Sequence, residues 1–238
     1  AVFDPYEAMK PGAPKIHDAE GNISGRTGKI VGDVERGFNE SYYIREDNFK
    51  MERQAHCPLE PHSALASCDN SGRIALWTSN MSPFTKQLLL AKTLNKRVSD
   101  IRICRSYVGG AFGGKSELFS LDFCASLLSM KTGRPVKITY SREEVFAATR
   151  HKFPMDIYLK TGVKKDGTLA AREARVLGRA GAYASTGILA VFITCTSLFD
   201  TYKYPNIKLD GLCVYTNLPI CGALRGHGST QARFADES

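Results

Sequence analysis

An α+β fold, with mixed sheets and helices packed on them, follows from three features of this 238-residue sequence. A strand-like segment, DIRICRSYV at 100–108, passes through a glycine-rich turn into the long apolar stretch SELFSLDFCASLLSM at 116–130, which ends at Gly133 and Pro135. That order reads as strand, turn and buried helix. Residues 155–163 and 168–177 flank Lys164-Lys165-Asp166-Gly167, a hairpin signal. Strands and helices do not alternate regularly, so a wound parallel sheet is not expected.

The elements follow in order. Residues 1–30 are rich in proline, glycine and charge and are expected to form an extended lead-in or linker. A single domain is expected over 31–238. RIALWTS at 73–79 predicts a strand, and Ser82-Pro83 predicts a helix start continuing through Phe84, Leu88, Leu89, Ala91 and Leu94. Residues 135–141 predict a short strand. Ser141-Arg142-Glu143-Glu144 then predicts a helix start, its acidic residues at the positive end of the helix dipole. After the hairpin, GRAGAYASTG at 178–187 precedes the apolar run ILAVFITCTSLF, and residues 207–216 predict a further strand. The closing ARFADES begins a helical pattern and stops, so the chain is expected to be a fragment or one piece of a split subunit.

Composition limits the function classes. Hydrophobic content of 43% and aromatic content of 10% predict a globular chain with ample core. No run of about 18 apolar residues occurs, so no membrane span is expected. No signal-peptide pattern is present, and a cytoplasmic location is the expectation. The net charge of +8 comes from 32 basic and 24 acidic residues, spread without a block that would bind nucleic acid. Seven cysteines include no C-x-x-C pair, which excludes zinc-ribbon and iron–sulfur ligand patterns within the chain. Cys124 and Cys213 have apolar neighbours and are expected to be buried thiols.

Val108-Gly109-Gly110-Ala111-Phe112-Gly113-Gly114-Lys115-Ser116 fits two motifs at once. Gly109 to Ser116 matches G-x-x-x-x-G-K-[ST], the phosphate loop of nucleotide hydrolases. Four glycines around Ala111-Phe112 equally suit a backbone held close to another bulky anionic group. A phosphate loop needs a second strand ending in an aspartate that helps hold Mg²⁺. The strands at 135–140 and 207–210 do not supply one. A non-catalytic binding module is a further alternative.

Other constellations are weaker. His56 and Glu60 have the four-residue spacing of metal-binding helices, but Pro58 and Pro61 oppose a helix there. His151 is expected at the surface. Arg225-Gly226-His227-Gly228 combines exposed backbone donors with a guanidinium fork suited to anions.

As an ordered set, VGGAFGGKSE, HCPLEP, KTGRPVKITYSREE, TGVKKDGTL, GAYAS and VYTNLPICGALRGHGSTQ resemble the molybdenum hydroxylases of the xanthine dehydrogenase/aldehyde oxidase family. The blocks run from about residue 30 to the end of the chain and correspond to the first of two molybdopterin-binding domains of a large subunit. FCASLLSMKTGRPVKI and CGALRGHG are most similar to the 4-hydroxybenzoyl-CoA reductase branch.

The resemblance implies a molybdenum cofactor, molybdopterin or its cytosine dinucleotide, whose metal is held by pterin dithiolene sulfurs and not by side chains. It implies iron–sulfur clusters and FAD on partner subunits or domains, a second molybdopterin-binding domain, and a small-molecule substrate of aromatic, heterocyclic or aldehyde type. The reaction would be hydroxylation with water-derived oxygen, or reductive dehydroxylation of an aromatic acyl-CoA thioester. Gly110, Phe112, Gly113, Arg225 and Gly226 match the family's cofactor-contacting loops. Met81 falls where the family has a glutamine that donates a hydrogen bond, which a methionine cannot do. Ser116 replaces the glutamate that orients purines, and Ile193 falls near a substrate arginine; both losses argue against xanthine. His227 replaces an aromatic residue and is expected to face substrate. The family's general-base glutamate lies in the second domain and has no counterpart in these 238 residues.

Overall fold

Lys164-Gly167 closes a hairpin as its sequence requires. Gly167 takes φ +87°, Asp166 accepts the Thr168 N–H at 3.0 Å, and the Lys164 N–H donates to the Thr168 carbonyl at 2.8 Å. The hairpin joins β7 (Met155–Val163) to β8 (Leu169–Gly181). Together they form the centre of one of two sheets in this computed structural model, which describes residues 1–238.

The chain divides into two units, one made of residues 1–54 and 151–238, the other of residues 55–150. In the first, β1 (Ile23–Val31), β9 (Asn206–Tyr215), β8, β7 and β2 (Tyr43–Met51) lie side by side in that order. Only the β8–β9 pair is parallel. Met155, Ile157 and Leu159 alternate along β7 and turn the same face into the core. Against that core pack Ala190, Val191, Cys195 and Leu198, from α6 (Gly187–Ser197) and the residue that caps it. The helix approaches closely because a Cβ at Gly178 would stand 2.5 Å from Val191 Cγ2. Helices α1 (Pro5–Ala8), α2 (Val34–Asn39) and α7 (Ser229–Asp236) complete this unit.

Residues 1–30, read from composition as a lead-in or linker, are instead built into this unit. β1 pairs with β9 from Ile23 to Val31. Asn22 is buried and ties the preceding turn together, donating to the carbonyls of Ala8 at 2.9 Å and Pro14 at 3.0 Å and accepting the Ile16 N–H at 2.9 Å. Composition misled here because the ordering partner, β9, lies some 180 residues away. Residues 31–238 contribute to both units.

In the second unit, β5 (Ile101–Cys104), β4 (Ile74–Thr78), β3 (Ser63–Cys68) and β6 (Val136–Thr139) form a four-stranded sheet in that order. β4 and β5 run parallel, joined by α3 (Pro83–Thr93), and the other pairs are antiparallel. α4 (Ser120–Thr132) lays Leu121 and Ala125 on Ala64, Ala66 and Leu76. That stripe leaves Cys124 on the opposite face, so this thiol is exposed; Cys213 is buried as expected. α5 (Arg142–Ala148) starts at Ser141 in a capping box with Glu144.

Candidate functional site

Residues 105–119 connect β5 to α4 without regular structure and carry the glycine loop. Five of its carbonyls are engaged within the chain. Gly109 accepts from the Glu60 N–H (3.2 Å), Ala111 from Gly114 (2.8 Å), and Gly113 from the Ser116 N–H (3.3 Å) and hydroxyl (2.7 Å). Lys115 accepts from the Met81 N–H at 3.0 Å. The Gly114 carbonyl accepts from His62 Nε2 at 2.9 Å, which fixes the proton of a neutral imidazole on that nitrogen.

Four of the N–H groups are not engaged. Those of Gly110, Ala111, Phe112 and Gly113 donate to no group of the chain. Gly110 and Gly113 have φ +93° and +98°, and Phe112 between them is held at φ +52°. For a bulky side chain that conformation costs on the order of 1–3 kcal/mol and persists only where its surroundings impose it. The result is a run of four amide donors without partners, flanked by the engaged carbonyls of Gly109, Ala111, Gly113, Gly114 and Lys115, suited to an anionic or strongly polarised oxygen.

The phosphate-loop alternative fails on Lys115. Its side chain is fully buried and its ammonium is 2.5 Å from Glu60 Oε2. It therefore does not reach outward to a phosphate. Ser116 spends its hydroxyl proton on Gly113, and α4 begins only at Ser120. The His56/Glu60 spacing makes no metal pair either, because Glu60 holds Lys115 and the His56 ring packs against Gly114. No group of three or more His, Cys, Asp or Glu side chains is placed to hold a metal ion.

Beneath the loop is a buried charged set. Lys86 Nζ is 2.8 Å from Asp122 Oδ2, and the Thr78 hydroxyl donates to Asp122 Oδ1 at 2.7 Å. The Phe119 N–H, at the start of α4, also donates to Asp122 at 3.0 Å. Burial lowers the Lys86 pKa against the pull of Asp122. Burial also pushes the His62 imidazole down; the Gly114 carbonyl opposes this, while the Lys115 and Lys86 charges add to it. Beside the loop, Met81, Phe84, Arg102, Arg105, Tyr107 and Val108 line an open cleft of 1160 Å³.

The second predicted group lies in the other unit, in the turn before α7. Gly226 and Gly228 take φ +87° and +95°. The His227 N–H donates to the Leu224 carbonyl at 2.7 Å, and the Ser229 N–H to Gly226 at 2.6 Å. Arg225 is exposed, and its side chain makes no ion pair or hydrogen bond. His227 is half-buried with its ring edge-on to Phe153, centroids 6.1 Å apart. His151, expected at the surface, is half-buried, and its carbonyl accepts the Gly222 N–H at 2.8 Å.

Met81, Gly110, Phe112, Gly113 and Ser116 thus belong to one loop assembly, and Arg225, Gly226 and His227 to one turn. Sequence reasoning missed the roles of Glu60 and His62. A carboxylate between two prolines in HCPLEP, where a helix is disfavoured, was the available signal for Glu60.

Comparison with known proteins agrees with this geometry. The sequence model described as the molybdopterin cofactor-binding domain matches residues 16–238. The chain is 34% identical over 236 residues to the nicotinate dehydrogenase large molybdopterin subunit of Eubacterium barkeri, covering 99% of this chain and 55% of that protein. It is 32% identical over 237 residues to the xanthine dehydrogenase molybdenum-binding subunit of Escherichia coli O157:H7, covering 100% of this chain and 31% of that protein. The aldehyde oxidoreductase of Desulfovibrio gigas superposes with a TM-score of 0.91 at 28% identity, over 99% of this chain and 26% of that one. The chain therefore spans only part of the curated relatives it matches, about half of the first of these two and about a third of the second.

Proposed function

Because the chain belongs to the molybdopterin cofactor-binding domain family of the xanthine dehydrogenase/aldehyde oxidase type, we propose that it forms the first cofactor-binding part of the large subunit of a molybdenum oxidoreductase. The observation that carries this reading is the run of four undonated amides at 110–113, with Phe112 held in a left-handed conformation. The residues fit the group: the bare backbone at 110–113 offers hydrogen-bond donors that no atom of the chain uses. When bound, the cofactor supplies two-electron redox chemistry. The chain's own residues bind and orient it. Phe112 and Gly113 would offer their N–H groups to polar atoms of the bound cofactor, and the positive φ of Gly110 supplies the turn that leaves them available. Arg225 offers a guanidinium fork and Gly226 a bare backbone to anionic groups. Ser116 and His227 border the substrate, and Met81 anchors the loop through its backbone while leaving one polar contact of the family unfilled.

The substrate favoured here is an electron-poor heteroaromatic or aldehyde, hydroxylated with water-derived oxygen. Support comes from relatives named for nicotinate and xanthine and from the resemblance to an aldehyde oxidoreductase. Ser116 and Ile193 lack the polar groups that would hold a purine. The similarity of FCASLLSMKTGRPVKI and CGALRGHG to the 4-hydroxybenzoyl-CoA reductase branch favours a second reading, in which an aromatic acyl-CoA thioester is reductively dehydroxylated. Partners are a second molybdopterin-binding domain or subunit, an iron–sulfur subunit and an FAD subunit.

Metal analysis and pterin fluorescence on the native complex test the reading. Molybdenum and pterin are expected in near-equal amounts. An intact, active complex without molybdenum would refute it.

A further inference from the structure

The two ends of the glycine loop meet on a single carboxylate oxygen. Glu60 Oε2 accepts the Gly109 N–H at 2.9 Å and the Lys115 ammonium at 2.5 Å. The Glu60 N–H returns to the Gly109 carbonyl at 3.2 Å, so Gly109 is gripped on both sides. A side chain at position 109 would remove the grip, because its Cβ would lie 2.7 Å from Glu60 Cβ. With positions 109 and 115 drawn to one atom, the five residues between them must arch. The arch is where Gly110, Phe112 and Gly113 take positive φ and where the amides lose their internal acceptors.

We propose that Glu60 is a positioning residue that sets which amides of the loop are left without an internal acceptor, with Lys115 as its counter-ion. The inference rests on the cofactor reading above and deepens it. Lys115 is fully buried, whereas the Glu60 side chain keeps 32% of its exposure. The carboxylate therefore remains in touch with solvent, while the ammonium depends on it. A buried ammonium without its partner is strongly unfavourable, so the pair closes the loop firmly. The loop amides are then preorganised before any ligand arrives, which is the condition under which hydrogen-bond donors stabilise developing charge.

The experiment compares wild type, Glu60→Gln and Glu60→Ala in the full complex. Glu60→Gln keeps an acceptor for Gly109 and removes the charge; Glu60→Ala removes both. Molybdenum per complex, thermal unfolding, kcat and KM, and the paramagnetic resonance signal of the half-reduced metal are measured on each. Both variants are expected to bind molybdenum. In Glu60→Ala, kcat falls by on the order of 10²-fold with KM little changed, because displaced donors act on the transition state. The metal signal shifts or splits in Glu60→Ala, and Glu60→Gln lies between it and wild type in both readouts. Metal-loaded Glu60→Ala with wild-type kcat and signal overturns the proposal. So does a loss of thermal stability and metal in both variants with unchanged kcat per bound metal, which would make Glu60 merely structural. A wild-type complex that is active without molybdenum overturns the cofactor reading itself, a result distinct from either of these.

Discussion

His62 shows how one side chain couples the loop to solution conditions. Its Nε2 donates to Gly114, while Nδ1 is buried without an acceptor, so a second proton has nowhere favourable to go. Burial and the two lysine charges lower its folded pKa, whereas in the unfolded chain it titrates near 6.5. The unfolded state therefore binds more protons between the depressed folded value and 6.5. Stability from this group is intact above pH 6.5 and is lost as pH falls through the folded value. Denaturant unfolding at pH 7 and pH 5 is expected to show a drop for wild type and a smaller drop for His62→Gln. An equal drop in both would locate the acid sensitivity elsewhere. Lys115 gives the complementary lesson. Its identity and spacing match a phosphate loop, and only its direction, inward to Glu60, rules that role out.

At the level of elements, local signals were reliable wherever the partner was near in sequence. The hairpin of β7 and β8, the capped start of α5, the proline start of α3 and strands β4 and β9 all follow from turn chemistry and period. β1 was hidden because its only pairing partner is β9, and the edge strand β2 because it answers to β7. Two glycines illustrate the limit of sequence. Gly133 and Gly228 both follow or precede helices with positive φ, +63° and +95°. A Cβ at Gly133 meets nothing within 4 Å, while one at Gly228 would stand 2.5 Å from the Ala190 carbonyl of α6. Gly133→Ala is expected to cost about 1–2 kcal/mol from backbone conformation alone. Gly228→Ala is expected to cost clearly more, because helix α7 must shift off α6 as well. Thermal unfolding of the two variants measures the difference, and equal losses would contradict the close approach.

For the molecule as a whole, residues 55–150 interrupt a unit that is continuous in space on either side of them. The Lys152 N–H donates to the Gln54 carbonyl at 2.9 Å, so the chain leaves and re-enters the larger unit at neighbouring points. Such ends tolerate insertion and excision. Joining Gln54 to His151 through a short Gly/Ser linker is expected to leave the five-stranded unit folded, with cooperative thermal unfolding and native-like circular dichroism. A non-cooperative product would show that this unit depends on the segment removed. The sequence by itself determined the fold class, most local elements and, through its ordered glycine-bearing blocks, the family, because turns, caps and backbone-bare loops are short-range chemistry. Tertiary structure alone decided that β1 joins a sheet, that Lys115 faces Glu60 and that the amides at 110–113 are left without an acceptor in the chain. Each depends on a partner brought close by folding: β9 for β1, and Glu60 for both Gly109 and Lys115. No local pattern records a contact made across 49 or more residues.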